Sequence, residues 1–362
     1  MTNKVVITGA SGLVGTASLE KFLGEGWDVV AVSRRKPEVR SRRPFQHVAV
    51  DLRDEAAGRE ALGGLSGVTH VVYAAVYEKP DLVAGWHDRD QMETNETMLR
   101  NTVEPLAAAG ALRHVSILQG TKAYGVHLHP IPIPARERDP RDDHENYMFR
   151  QEDYLRAAAG RHGFAYTVWR PQVVIGPNVG VELNIIPAIG AYAAIAREEG
   201  LPFSFPGGPS FVWEAVDVRL LADALAWAAT APQAADETFN ITNGDVFEWR
   251  NLWPALAETL GVETGPDRPL PLTSYLPEKA GVWDKVVAKY DLRPLSLDRV
   301  IGKAHQHADF AFAYGAEAGP RAFVSTIKLR QAGFTEVMDT EDSFRHWLQD
   351  LIDRRILPPA AS

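Results

Sequence analysis

Apolar residues fall along this chain in two rhythms. Short, nearly unbroken runs of β-branched and aromatic residues recur through the first half, and most are followed by a longer amphipathic stretch. The first rhythm reads as strands buried on both faces, the second as helices with one apolar stripe. Lys4–Thr8 (KVVIT) opens the series and runs through Gly9-Ala10-Ser11-Gly12-Leu13-Val14-Gly15 into a helix to about Phe22. Trp27–Val32, Phe45–Val50, Thr69–Tyr73, His114–Leu118 and Phe164–Trp169 read as the further strands. Gln91–Ala109 reads as a long helix with Asn95, Leu99, Val103 and Leu106 at helical spacing, bent near its end by Pro105. This alternation predicts an α/β fold, a doubly wound parallel sheet of the Rossmann type.

Beyond about residue 176 the alternation fades. Asn184–Ala196, Val218–Ala229, Phe247–Leu260 and Ser343–Arg355 read as helices, and Thr238–Thr242 as a strand before an Asn-Gly-Asp turn. Phe203–Val216, rich in glycine and aromatics, reads as a loop suited to a pocket wall. Residues 1–176 are therefore expected to form a dinucleotide-binding core. Residues 177–362 are expected to form a mainly helical substrate lobe packed on it, returning to its sheet at Thr238–Thr242.

Composition narrows the function classes. The net charge of −9 gives no footprint for nucleic acid or an anionic membrane. With no cysteine, disulfides, thiolate catalysis and cysteine-ligated zinc are excluded. No apolar run approaches the roughly 20 residues that span a bilayer. A strand begins almost at the first residue, which leaves no room for a signal peptide, so a cytoplasmic protein is expected.

The candidate chemistry gathers at strand ends, where ligands bind in open α/β sheets. Gly9 suits a tight turn. Gly12 lets amides approach a pyrophosphate, and Gly15 lets the helix pack on the strand. Thr8, Ser11, Leu13 and Val14 complete that cradle. Where the second strand ends, Ser33-Arg34-Arg35 replaces the acidic residue that would bind the ribose of NAD. Arginines there can pair with a 2′-phosphate, which favours NADPH. Asp51, with Leu52, either touches the adenine edge or caps the next helix. Ala74 and Ala75 would let the cofactor lie against backbone. Gln119-Gly120-Thr121-Lys122-Ala123-Tyr124 follows the fifth strand and places Lys122 and Tyr124 for chemistry. Val126–Pro140, rich in proline, reads as an extended loop over the site. His127 and His129 within it raise the thought of a metal, but no nearby carboxylate pair supports one and none is expected. Trp213, Phe205, Phe211, Phe310, Phe312 and Tyr314 lean toward an apolar substrate, or toward plain core.

With these residues in place the chain resembles an extended short-chain dehydrogenase/reductase, and most closely the progesterone 5β-reductase/iridoid synthase-like family. The likeness covers nearly the whole chain. It rests on THVVYAAVYEK (Thr69–Lys79), LRHVSILQGTKAY (Leu112–Tyr124), WRP (Trp169–Pro171) and FNITNGDVFEWRNLW (Phe239–Trp253). The resemblance implies an NADPH-dependent reductase of activated C=C bonds in enones and enals. It implies a catalytic lysine at Lys122 and dinucleotide contacts that extend to Gln119 and Val173. It also implies a tyrosine from the helix beginning at Asn146. There the family reads Asn-Phe-Tyr-Tyr and this chain reads Asn146-Tyr147-Met148-Phe149. Tyr147 is thus the candidate, one or two places early, and one residue turns a helix by about 100°. Lys122 either stabilises an enolate or holds the nicotinamide ribose; Tyr124 or a water could supply the proton. The alternatives are a carbonyl reductase or epimerase-type enzyme and a non-catalytic NADPH-binding protein. The expected partner is a small apolar carbonyl compound, and the fold family suggests a homodimer.

Overall fold

The computed structural model describes residues 3–360. By their contacts these residues divide into two units, and both are discontinuous in sequence. The first comprises residues 1–172, 218–241 and 324–336; the second comprises 173–217, 242–323 and 337–362.

The first unit is built on a seven-stranded sheet whose pairings are all parallel. Its strands in chain order are β1 (Lys4–Thr8), β2 (Asp28–Val32), β3 (Gln46–Val48), β4 (His70–Tyr73), β5 (His114–Leu118), β6 (Ala165–Pro171) and a last strand, Glu237–Ile241. In space they run Glu237–Ile241, β6, β5, β4, β1, β2, β3. The order reverses beside β1, at the crevice where doubly wound folds take their ligands.

The reason lies in the side chains. Val5, Val6, Ile7, Val29, Val30, Val71, Val72, Val115, Ile117 and Val168 are all buried, so these strands have no wet face. Only a sheet covered by helices on both sides satisfies them, and each such side chain contributes about 1.5–3 kcal/mol on burial. The helices of this unit are α1 (Leu13–Gly24), α2 (Glu55–Gly63), a single short turn α3 (Leu82–Gly85), α4 (Arg89–Ala108) and α5 (Tyr147–His162). Helix Val218–Ala228, late in sequence, also packs on α1, and Lys21 pairs with Asp223 at 2.7 Å.

Local signals set the helix limits. Asp88 caps α4 by accepting from the Gln91 amide at 3.2 Å, and α4 runs on through Pro105. Asn146 caps α5 by accepting from the Met148 amide at 3.0 Å, and Gly163, with φ 74°, ends it. Asp54, not Asp51, caps α2, accepting from Ala57 at 3.0 Å, which removes one of the two roles expected of Asp51.

The second unit holds helices Ile185–Glu198, Trp249–Leu260 and Thr340–Asp353 with several shorter ones. Its expected loop, Phe203–Val216, carries three short strands, Phe203–Ser204, Val212–Trp213 and Ala215–Asp217. Phe205, Trp213 and Phe312 are buried there with Trp249 and Trp253 in one aromatic core, where Phe203 stacks on Trp253 at 4.3 Å. Those three rings do structural service in the core; Phe310 is exposed. No helix among the described residues is long and apolar enough to cross a membrane.

Candidate active site

At the end of β1 the chain turns through Gly9, with φ 64°. A Cβ there would lie 2.7 Å from the Ala74 carbonyl carbon and 2.8 Å from the Ala75 amide nitrogen. At Gly15 it would lie 2.7 Å from the Gly9 carbonyl carbon and 2.8 Å from Ala10 Cα. Backbone cannot retreat from either, so both positions demand glycine. Gly12 is different: an added Cβ would meet only the Gly9 oxygen, at 3.2 Å. Gly12 stands at the N-cap of α1 and brings no side chain of its own to cap that end. Open space in front of helix amides suits a phosphate group.

The surroundings fit a dinucleotide too. Thr8 Oγ1 and the Tyr73 hydroxyl, at the ends of β1 and β4, are buried with no hydrogen-bond partner, and a bound polar group would satisfy them. Ser11, Leu13 and Val14 are half-buried around the turn, as are Ala74 and Ala75, while Leu52 is buried. Ser33 is buried and donates to the Arg35 carbonyl at 2.6 Å, leaving Arg34 and Arg35 exposed at the end of β2. Asp51 pairs with Arg53 at 2.6 Å; that guanidinium, helped by the charge of Arg34, holds its carboxyl below the usual range.

Lys122 lies in a short helical turn, Thr121–Tyr124, just past β5. Burial pushes its ammonium down to about 7, and the nearby Glu78 carboxylate pulls it part of the way back. The Nζ stands 3.2 Å from the centroid of the Trp86 ring, a cation–π seat that helps to hold charge there. Tyr147, in the first turn of α5, packs against Ala123, Met148 and Phe149. Burial, then the charge of Glu78, keeps its hydroxyl protonated well above the ordinary phenol range. Lys122 and Tyr147 therefore share one electrostatic neighbour. Tyr147 in turn acts on the buried Tyr73 hydroxyl.

Two clips hold this arrangement. Gln91, fully buried on α4, donates to Glu78 at 2.6 Å and accepts from the Lys79 amide at 2.8 Å. Asn95, one turn on, bonds both the amide and the carbonyl of Tyr77, each at 2.9 Å. Together they fix the loop after β4, which carries Glu78. The second clip starts at Asp142, which accepts from His144 Nδ1 at 2.7 Å and from His129 Nε2 at 2.9 Å. Asn146 Nδ2 then donates to the Lys122 carbonyl at 3.1 Å and lies 3.2 Å from His144 Nε2. His129 and Asp142 are thus hydrogen-bonded to each other, and His127 is not part of that pair. Among the described residues, no group of three or more histidine, aspartate or glutamate side chains is placed to hold a metal.

Other expected positions have settled partners. Gln119 is buried, accepts from Arg170 Nε at 3.1 Å and donates to the Met148 carbonyl at 2.8 Å. Glu152, beside it, pairs with Arg156 at 2.7 Å and Arg170 at 3.2 Å. Tyr124 donates to Asn240 Oδ1 at 2.7 Å beneath the Arg170 guanidinium, which engages the hydroxyl considered as a proton source. His70 is a strand residue bonded to Thr69 Oγ1 and the Ala229 carbonyl. Val173 falls in the second unit, in the strand Val173–Ile175, which pairs with Ala215–Asp217. Glu78, Trp86 and His127 were not foreseen at the site. Glu78 and Trp86 come from the loop after β4, where no spacing marks them out; His127 was weighed only as a metal ligand.

Known proteins place this geometry. The NAD dependent epimerase/dehydratase family matches residues 5–242. An (S)-8-oxocitronellyl enol synthase of Camptotheca acuminata is 30% identical, over 98% of this chain and 93% of that protein. A 3-oxo-Delta(4,5)-steroid 5-beta-reductase of Arabidopsis thaliana is also 30% identical, over 98% of this chain and 92% of its own. Among solved structures, a UDP-glucose 4-epimerase of Thermotoga maritima superposes with a TM-score of 0.69 at 17% identity, covering 96% of this chain and 99% of the other. That last likeness is one of fold.

Proposed function

The chain belongs to the NAD dependent epimerase/dehydratase family, in its progesterone 5β-reductase/iridoid synthase-like branch of extended short-chain dehydrogenase/reductases, and from that premise we propose that it is an NADPH-dependent reductase of activated C=C bonds in apolar enones or enals. The observation that carries the reading is Lys122, a lysine held near neutrality at a strand end within reach of Glu78 and Trp86. The Arabidopsis relative's name describes reduction of a 3-oxo-Δ4,5-steroid, which is an enone. Arg34 and Arg35 support the phosphorylated dinucleotide.

Bound NADPH would supply the hydride that adds to the β-carbon of the unsaturated carbonyl. This chain's residues deal with the charge that then gathers on the carbonyl oxygen. Lys122 and Tyr147 are the donors for that oxygen. One well-placed donor of this kind is commonly worth about 3–4 kcal/mol in the transition state. Tyr147, with its hydroxyl kept protonated, gives a hydrogen bond at neutral pH. Glu78 keeps a share of Lys122 charged, and Gln91 holds Glu78 in place. Enolate protonation at the α-carbon can follow from water, so no single side chain must deliver that proton.

The test is NADPH consumption with a cyclic enone and with the matching saturated ketone. The enone is expected to be consumed, and Lys122→Ala to slow it by about 10²–10³-fold, the span of one lost oxyanion donor. Tyr147→Phe separates a donor from a packing ring, by a slowed or an unchanged rate. Consumption of the ketone alone would move the chain to the carbonyl reductases. NADPH binding with neither compound consumed would make it a non-catalytic binding protein.

A further inference from the structure

We propose that His127 is a further catalytic residue of this site, a neutral imidazole that donates a hydrogen bond to the oxyanion formed beside Lys122. The identity of that oxyanion as an enolate rests on the reading above. The placement of His127 does not.

Four observations lead there. His127 Nδ1 is buried and has no hydrogen-bond partner. Leaving such a nitrogen unpaired is costly, a cost that a bound acceptor would lift. Next, the imidazole lies within electrostatic reach of Lys122, the strongest charge acting on it. Third, rings hold it in place from three sides. Trp86 meets it edge-on at 6.2 Å, His144 edge-on at 5.3 Å, and His87 lies tilted at 5.8 Å. His144 is itself fixed by Asp142 and backed by Phe149 at 5.3 Å. Met148 and Phe149 lack a hydroxyl, and Phe149 instead supports the row of rings that ends at His127. Fourth, burial and then the Lys122 ammonium, with His144 and His87 beside the ring and Asp142 acting in the other direction, push its pKa down to about 4. At neutral pH the ring is uncharged. A neutral imidazole does not compete with Lys122 for a negative site as a second cation would, and it is a known electrophile toward carbonyl oxygens.

The step balances without a new reagent. A hydride from NADPH forms the β C–H bond, the π electrons of the C=C bond move to the enolate oxygen, and that oxygen accepts the His127 N–H. The proton that finally reaches the α-carbon comes from water. His127 keeps its own proton throughout.

The probe is 4-nitrophenol, whose anion presents a delocalised oxyanion like that of an enolate and reports its own ionisation by colour. It is titrated into the full chain with NADP⁺, beside enone turnover, in wild type, His127→Phe and His127→Asn. Wild type should bind the phenolate. His127→Phe should weaken that binding by about tenfold or more, the worth of a hydrogen bond to a charged group, with NADP⁺ affinity within about twofold. His127→Asn puts an amide donor near the Nδ1 position and should recover most of the loss, which a merely structural ring would not allow. Phenolate binding that is absent in wild type, or equal in wild type and His127→Phe, overturns the assignment. Phenolate binding that depends on His127 in a protein that consumes no enone sustains the oxyanion seat and refutes the reductase reading instead.

Discussion

The glycine turn between β1 and α1 and the group of side chains around Lys122 lie at strand ends of one sheet, and they are built in opposite ways. The turn is local. Seven consecutive residues make it, and Gly9 and Gly15 within it are set by backbone atoms of the turn itself and of the neighbouring strand end. The Lys122 site is assembled from afar. Lys122 follows β5, Glu78 and Trp86 come from the loop after β4, and His127, His144 and Asn146 come from the segment before α5. What holds the turn is steric exclusion. What holds the Lys122 site is a set of side-chain amide clips, Gln91 to Glu78 and Asn146 to Lys122.

The largest expected effects follow from the turn. Gly9→Ala puts a side chain on a left-handed backbone and against three backbone atoms, and Gly15→Ala meets backbone as closely. Strain and overpacking of that kind cost about 1–3 kcal/mol each, so both variants should melt several degrees lower and lose dinucleotide binding together. Gly12→Ala divides the two properties. Its backbone is extended and its new methyl meets only the Gly9 oxygen, so thermal unfolding should stay near that of wild type. NADPH binding, read by fluorescence titration, should still weaken by about tenfold or more, because the methyl enters the space in front of the helix amides. A Gly12→Ala protein that binds NADPH normally would mean that this turn only joins a strand to a helix.

A smaller effect is expected where β2 ends. Arg34 and Arg35 are exposed, and Arg34 acts on Asp51 across the neighbouring strand end. Arg34→Ala should weaken NADPH by about tenfold, the scale of one charge-assisted hydrogen bond, and leave NADH nearly unchanged. Equal loss for both dinucleotides would remove the 2′-phosphate assignment while leaving the turn intact.

This contrast also explains what could be read from the sequence. The sheet was legible because its strands are buried on both faces and announce themselves as apolar runs; β1 and β5 fall on the residues expected, and the others shift by a residue or two at their ends. The glycine turn was legible for the same reason, since all its determinants are adjacent in sequence. Lys122 stood out by its place after a strand. Glu78 and Trp86 did not, because nothing in their own segment marks a residue that is recruited by Gln91 on α4 or by a lysine dozens of residues on. The aromatic residues left two readings open, pocket wall and plain core, and Phe205, Trp213 and Phe312 are buried in the core. The capping role weighed for Asp51 belongs to Asp54, since capping geometry is settled by the helix start and not by the strand end.

The subtlest test turns on how Glu78 sets the charge of Lys122. Burial alone drives the ammonium toward its neutral form, and Glu78 opposes that. If the charged form is the one that serves the oxyanion, kcat/KM for an enone should fall as pH rises through about 7, where Lys122 loses its proton. Glu78→Gln keeps the size and the hydrogen-bonding capacity of the side chain while removing its charge. An anion favours a neighbouring cation, so its loss lowers the lysine pKa further, and the falling limb should move to lower pH. The rate below that limb should change little, because the ammonium is still present there. The same substitution relieves Tyr147 of a nearby negative charge and should ease its hydroxyl downward, though burial keeps it protonated across the working range. A limb that stays in place in Glu78→Gln would assign it to some group other than Lys122. A rate that rises instead of falling as pH passes about 7 would mean that the neutral amine is the working form, which would make Lys122 a base and sharpen the contrast with a turn whose chemistry does not depend on a proton at all.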